Sequence, residues 1–307
     1  MTYYERAQGL IKADVRMISG CRDSQTSADV GNVSEFELPD PAGKAGGACT
    51  SALLKVLYND GSVADDMSYV DLLHKMRDEL RGDYSQIPQL SSSRPFDLKK
   101  KVEFANVEPG YTKRAVLVGI NYVGQQGELS GCHNDVLNIK EYIENVHGFE
   151  EHNITVLMDD GYNTEPTRDN IMQAYNDIVS ISKSGDGVFL HYSGHGGRLP
   201  DQDGDEDDGY DETLIPVDYN STGQIRDDLL LQTLILPMAE GVNVFSLMDC
   251  CHSGTILDLP YVYRSDGDSE EFEEQPNYDF DGYASLLENV DVWCCITSCW
   301  WLLKKLM

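Results

Sequence analysis

Three nearly continuous apolar runs constrain this 307-residue chain more than any other feature. Ala115–Ile120 reads AVLVGI, Val188–Tyr192 reads VFLHY and Val244–Met248 reads VFSLM. A strand with one wet face alternates apolar and polar residues. An unbroken run asks for burial on both faces, as in a parallel sheet covered by helices. Ile154–Met158 reads as a further strand, and helical periodicity over Asp135–Val146 and Arg168–Ser180 fills the gaps between strands. This β–α alternation predicts an α/β fold with a mainly parallel sheet and helices on both faces.

The first hundred residues have a different texture. Val15–Ile18 is a short β-prone run, and Ala48–Tyr58 and Tyr69–Leu80 read as helices, the second burying Val70, Leu73 and Leu80. Pro88 and the SSSRP stretch break regular structure near residue 90, and Asp97–Lys101 is a basic joint to the next unit. The predicted division is 1–106, 107–265 and an acidic linker with an apolar tail over 266–307. The strand of the first unit is expected at the edge of the common sheet.

Ligands of open α/β sheets bind beyond the carboxyl ends of the strands. Val188–Tyr192 runs into Ser193-Gly194-His195-Gly196-Gly197, and Val244–Met248 into Asp249-Cys250-Cys251-His252-Ser253-Gly254. Parallel neighbours would set these two tips side by side. An imidazole can lower the pKa of a thiol and later protonate a leaving amine, so His195 and Cys251 are candidates for base and nucleophile. The backbone N–H groups of Gly196 and Cys251 are candidate donors to a developing oxyanion. A zinc site from His191, His195, Cys250 and His252 is the weaker reading, because no paired CxxC knuckle is present. Cys250 reads as a buried small residue, with a resolving thiol as the sharper alternative.

Charge narrows the partners. The chain has 53 acidic and 23 basic residues, a formal net charge of -30. Such a surface repels nucleic acid and anionic membranes and attracts basic proteins and divalent cations. Acid concentrates at Asp201–Glu212 and Asp266–Glu274. The first of these ends on Glu212 as an EF-hand loop ends on Glu, but Glu206 replaces the glycine of the sixth place and no helix precedes it, so an EF-hand is not expected. The adjacent pairs Cys250–Cys251 and Cys294–Cys295 argue against a disulfide framework. The start, MTYYERAQGL, has no apolar leader, and no stretch is long enough to span a membrane, so a reducing, cytoplasmic setting is expected. The tail Val290–Met307 reads as a terminal element packed on the core, in preference to a palmitoylated membrane anchor.

HYSGHGG and DCCHSGT resemble the two catalytic signatures of metacaspases, members of the caspase-like clan of cysteine peptidases. YTKRAVLVGINY, LSGCHNDV, DGYDETLIPVD, GQIRDD and CHSGTILDLP resemble the metacaspase large unit in order and spacing, and MISGCRDSQTSADV and GGACTSALL resemble the small unit. Most metacaspases place the small unit last. Here it comes first, which resembles the type III arrangement. The resemblance implies a caspase-like, mainly parallel six-stranded sheet with its units in rearranged order. It implies a calcium-dependent endopeptidase that cuts proteins or peptides after Arg or Lys, with Cys251, directly before His-Ser-Gly, as nucleophile and His195 as base. Asp135, Ser193 and Asp249 would line the pocket for the basic side chain, and Asp211, Asp227, Asp228 and Asp258 would hold calcium. A monomer is expected. The prodomain and long linker of other types are missing, so activation by their excision is not expected, while Lys99–Lys101 offers a site for self-cleavage. A calcium-binding scaffold without catalysis, or a peptidase of the clan with another specificity, are the alternatives.

Overall fold

The computed structural model describes residues 9–20, 48–59, 62–63, 67–80, 87–105, 107–200, 209–250, 253–264 and 272–274. The first unit contributes β1 (Asp14–Ser19), α1 (Ala48–Leu57), a small hairpin of β2 (Tyr58–Asn59) and β3 (Ser62–Val63), α2 (Tyr69–Leu80) and β4 (Gln89–Ser92). Then follow β5 (Lys113–Gly119), α3 (Cys132–His147), β6 (Ile154–Met158), α4 (Arg168–Ile181) and β7 (Gly187–Ser193). The remainder comprises β8 (Gly196–Pro200), β9 (Tyr210–Leu214), α5 (Tyr219–Thr222), β10 (Ile225–Arg226), α6 (Asp227–Leu230), β11 (Asn243–Asp249), β12 (Tyr261–Arg264) and β13 (Glu273–Glu274).

The helix ends follow local chemistry. Thr167 caps α4, its hydroxyl accepting from Asn170 N–H at 3.3 Å. Gly148 ends α3 at φ +67°, where its N–H and that of Phe149 return to the carbonyls of Glu144 and Ile143.

The main sheet has eight strands in the order β13-β12-β4-β1-β11-β7-β5-β6, with parallel pairing from β1 through β6. Strand alternation sorts the apolar runs onto two faces. Val116, Val118, Val188, Leu190, Val244 and Met248 pack on one face with Ile171, Tyr175 and Ile178 of α4. Ala115, Leu117, Phe189, Phe245 and Leu247 pack on the other with α1, α2 and α3. The continuous runs are therefore buried on both sides, as the pattern requires.

Two expectations change. The sheet has eight strands where six were expected, and β1 lies inside it rather than at its edge. β4 pairs antiparallel with β1 on one side and with β12, from the far end of the chain, on the other. β4 falls in the stretch read as structure-breaking. Its serines are tolerated inside a sheet because their hydroxyls find backbone acceptors: Ser91 donates to Gly254 O at 3.2 Å and Ser92 to Arg94 O at 2.7 Å, while the neighbouring Ser93 accepts from Val15 N–H at 3.0 Å. The joint at Lys99–Lys101 is exposed, but its backbone is tied down. Lys100 O accepts from Tyr69 N–H at 3.3 Å, and Val102 N–H donates to Met67 O at 2.9 Å. No helix among the described residues is long and apolar enough to cross a membrane. Of the segment read as linker and tail, only 272–274 fall among the described residues.

Candidate active site

The two loaded strand tips are neighbours in register. Asp249 at the end of β11 pairs with Ser193 at the end of β7, and Ser193 pairs in turn with Gly119 of β5. Gly194 N–H continues the contact to Asp249 O at 3.4 Å. His195 and Cys251 each follow two residues after this matched pair. Cys251 and His252 lie outside the described residues.

His195 is 3% exposed. Its Nε2 lies 2.7 Å from Gly127 O. A carbonyl only accepts, so Nε2 carries the proton and Nδ1 is left as the basic nitrogen. Burial pulls the imidazole below the usual histidine range, and the bond to Gly127 acts the other way. A neutral ring held in one tautomer suits a general base. Tyr122 lies against it, ring centroids 4.7 Å apart and tilted by 36°. Gly196 opens β8 and pairs with Leu214 of β9.

A second cluster sits at the same tips on the α3 side. Ser193 Oγ donates to Asp135 Oδ2 at 2.7 Å, and Thr50 N–H, in the first turn of α1, donates to Asp249 Oδ2 at 2.7 Å. Both carboxylates are buried, Asp135 at 4% exposure and Asp249 at 1%. Burial and the charge of Asp249 push the Asp135 carboxyl up to about 7, against the hydrogen bond from Ser193. Asp135 also lies in the first turn of α3, where the helix dipole favours its charge, as its plainer reading had it. Two buried acids crowded together repel each other, which makes ionising both of them costly. Cys132 and Cys49 lie buried beside them. Burial pushes Cys132 up to about 12, and burial with Asp249 and Asp135 holds Cys49 well above the usual thiol range, so both remain neutral walls.

The third cluster is built on the small sheet β10-β9-β8, whose strand β8 starts immediately after His195. Carboxylate oxygens of Asp211, Asp227 and Asp228 lie within 4.8 Å of one another. Asp211 Oδ1 is buried with no hydrogen-bond partner among the described residues, while Arg226 pairs with Oδ2. Asp227 accepts from Glu212 N–H at 2.6 Å and Asp228 N–H at 2.9 Å. Burial, then the charges of Asp258, Glu212 and Asp228, nevertheless raise its pKa well above the carboxylate range. Asp258 falls outside the tight group of three but acts on Asp227 by charge. It adopts φ +47°, with its N–H on Thr255 O at 2.6 Å. Hard oxygen donors with an unmet buried acceptor fit a calcium ion. The suggested zinc cluster does not form among the described residues: His191 Nδ1 sits 3.1 Å from Leu247 O, and burial pulls its pKa down to about 4.

Sequence reasoning missed several parts of the site. The Gly127 carbonyl leaves no mark in a sequence, because any residue carries one. Thr50 acts through its backbone. Tyr122 and Cys132 lay inside quoted motifs, next to residues that were singled out. Cys250 is buried at 4% exposure and packs with the apolar core, as its plainer reading had it.

The chain is similar to known proteins along most of its length. Residues 113–260 match the metacaspase, peptidase C14 domain, and residues 3–99 match the caspase domain. Metacaspase III c of Phaeodactylum tricornutum is 58% identical over 274 residues, which cover 88% of this chain and 81% of that protein. Metacaspase-1A of Aspergillus oryzae is 46% identical over 158 residues, 51% of this chain and 38% of its own length. A crystal structure of a Geobacter sulfurreducens protein is 34% identical, covers 48% of this chain and 53% of its own, and has a TM-score of 0.36. With a relative this similar along most of both chains, and the small unit ahead of the large one, the chain belongs to the metacaspases, cysteine-type peptidases with a caspase-like fold.

Proposed function

We propose that this metacaspase is a calcium-dependent endopeptidase that cuts after Arg or Lys through a Cys251–His195 dyad. The observation that carries the reading is the pair of buried carboxylates, Asp135 and Asp249, at the strand tips that lead to His195 and Cys251. An ionised pair there is costly until a guanidinium or ammonium arrives, so the slot selects a cation and repels an acidic side chain. Ser193 orients Asp135, and Thr50 N–H orients Asp249. With the scissile carbonyl beside the slot, Nδ1 of His195 takes the Cys251 proton, the thiolate attacks, and the N–H of Gly196 joins in stabilising the oxyanion. The imidazolium then protonates the leaving amine, and water attacks the thioester with His195 again as base.

Asp211, Asp227 and Asp228, with Asp258 nearby, would hold calcium, which supplies positive charge to offset their mutual repulsion. Its support lies in the neighbours of the cluster. Glu212, adjacent to Asp211, accepts from Thr255 Oγ1 at 2.6 Å and pairs with Arg198 at 2.9 Å, and Thr255 lies four residues after Cys251. The test is calcium titration under reducing conditions with fluorogenic peptides bearing Arg, Lys, Asp or Asn at the cleaved position. Calcium-dependent release from Arg and Lys peptides, lost in Cys251→Ala and His195→Ala, is expected. A folded protein that binds calcium but turns over none of the four would be a scaffold.

A further inference from the structure

Both backbone polar groups of His195 end on phenol oxygens. His195 N–H donates to Tyr122 Oη at 3.0 Å, and Tyr192 Oη donates to His195 O at 2.9 Å. The same two phenols tie this peptide to the chain leaving β9. Tyr122 Oη donates to Ile215 O at 2.7 Å, and Ile215 N–H donates to Tyr192 Oη at 3.2 Å. Both tyrosines are fully buried, and burial holds their hydroxyls well above 10, so they stay protonated donors at working pH.

Two features show that the local backbone yields to this arrangement. Tyr122 sits at φ +52°, a left-handed conformation that a bulky residue adopts only when held there. The holder is Asp159, whose carboxylate accepts from the N–H groups on either side, Asn121 at 2.8 Å and Val123 at 3.1 Å, and is itself bonded to His133 Nε2 at 2.6 Å. A Cβ at Gly194 would lie 3.0 Å from Tyr192 Oη and 3.2 Å from Tyr122 Oη, so any side chain there would have to displace the hydroxyls by a few tenths of an ångström.

We infer that Tyr122 and Tyr192 are positioning residues for His195: their hydroxyls clamp its peptide so that the ring keeps Nε2 on Gly127 O and presents Nδ1 in one direction. This rests on the reading of His195 as the base. A base that must meet a thiol within hydrogen-bond reach loses rate when its own backbone can drift. The clamp also joins the imidazole to Ile215, which directly follows the strand carrying Asp211, so order in the aspartate cluster has a short covalent and hydrogen-bonded route to the base.

The experiment compares wild type, Tyr122→Phe, Tyr192→Phe, the double variant and Tyr69→Phe as a control. Tyr69 is a buried phenol of the first unit, bonded to Arg16 at 3.0 Å, so its removal costs stability without touching His195. With each protein shown folded by circular dichroism, kcat on an Arg peptide should fall about tenfold in each single clamp variant, the rate equivalent of one net hydrogen bond. KM should stay within about twofold, because no substrate contact is removed. The double variant should lose less than the product of the two single losses, since both changes loosen the same peptide, which Ile215 N–H on His195 O at 3.3 Å still holds. Tyr69→Phe should melt lower yet keep its kcat. Unchanged kcat in both clamp variants, or a rise in KM alone, would overturn the inference while leaving the dyad intact. Retained cleavage in His195→Ala would instead remove the dyad itself.

Discussion

Asp135 shows what burial costs a single carboxylate. Its carboxyl is raised to about 7 in the fold, above its unfolded value, so its contribution to stability is full at low pH and fades as pH rises toward and through 7. Asp135→Asn removes that penalty. The variant should melt higher than wild type at pH 8 and alike at pH 3, while KM for Arg peptides rises about a hundredfold or more through loss of a buried charge partner. Thermal melts at the two pH values with one KM measurement check both halves. Ser193, Asp135 and Asp249 were legible from their motifs, and the structure brings the three together. Their proton balance was not legible, because it arises from burial and from a neighbour more than a hundred residues away in sequence. Cys251, the nucleophile in the proposed reading, falls outside the described residues.

Among elements, the tip of β5 and the start of α3 meet at close range. A Cβ on Gly119 would lie 2.7 Å from Val136 Cγ2 and 2.8 Å from Cys132 O. The carbonyl cannot move without the helix, so Gly119→Ala should cost about 1–3 kcal/mol in denaturant unfolding. The same shift carries Asp135 off the slot, and KM should rise more than kcat falls. The small sheet is where the proposed calcium dependence would be read. Added calcium should raise the melting temperature of wild type, and Asp227→Asn should shrink that rise while stabilising the calcium-free protein, because three crowded carboxylates become two. The tied-down joint at Lys99–Lys101 gives a further expectation. Its backbone must leave α2 before it can be cut, so calcium treatment should leave it intact on a gel until that contact is loosened. The strands and helices with strong apolar periodicity were legible almost to their ends. β4, β12 and the three-stranded sheet were not, since β4 is mostly polar, β12 and β10 are short, and β8 and β9 mix glycine, proline and charge with few apolar residues.

At the scale of the molecule, the chain carries a net charge of -30, and the proposed substrates are basic. Rising ionic strength should therefore raise KM for a lysine-rich protein substrate more than for a short peptide, as initial-rate measurements would show. The α/β class and the parallel core followed from the residues alone, and the reversed order of units from the resemblance their motifs carry. The width of the sheet and the inward position of β1 depended on which distant segments pair, a choice that local pattern does not record. That choice has a consequence for biosynthesis. β1 and β4 are flanked by β11 and β12, which are made about 150 residues after β4. At typical elongation rates of about 5–20 residues per second, the opening unit emerges from the ribosome and waits roughly ten to thirty seconds with both borders unpaired. A nascent chain held open so long is a natural client for chaperones, and slowing translation downstream of residue 100 should lower the soluble yield of this protein more than slowing it upstream.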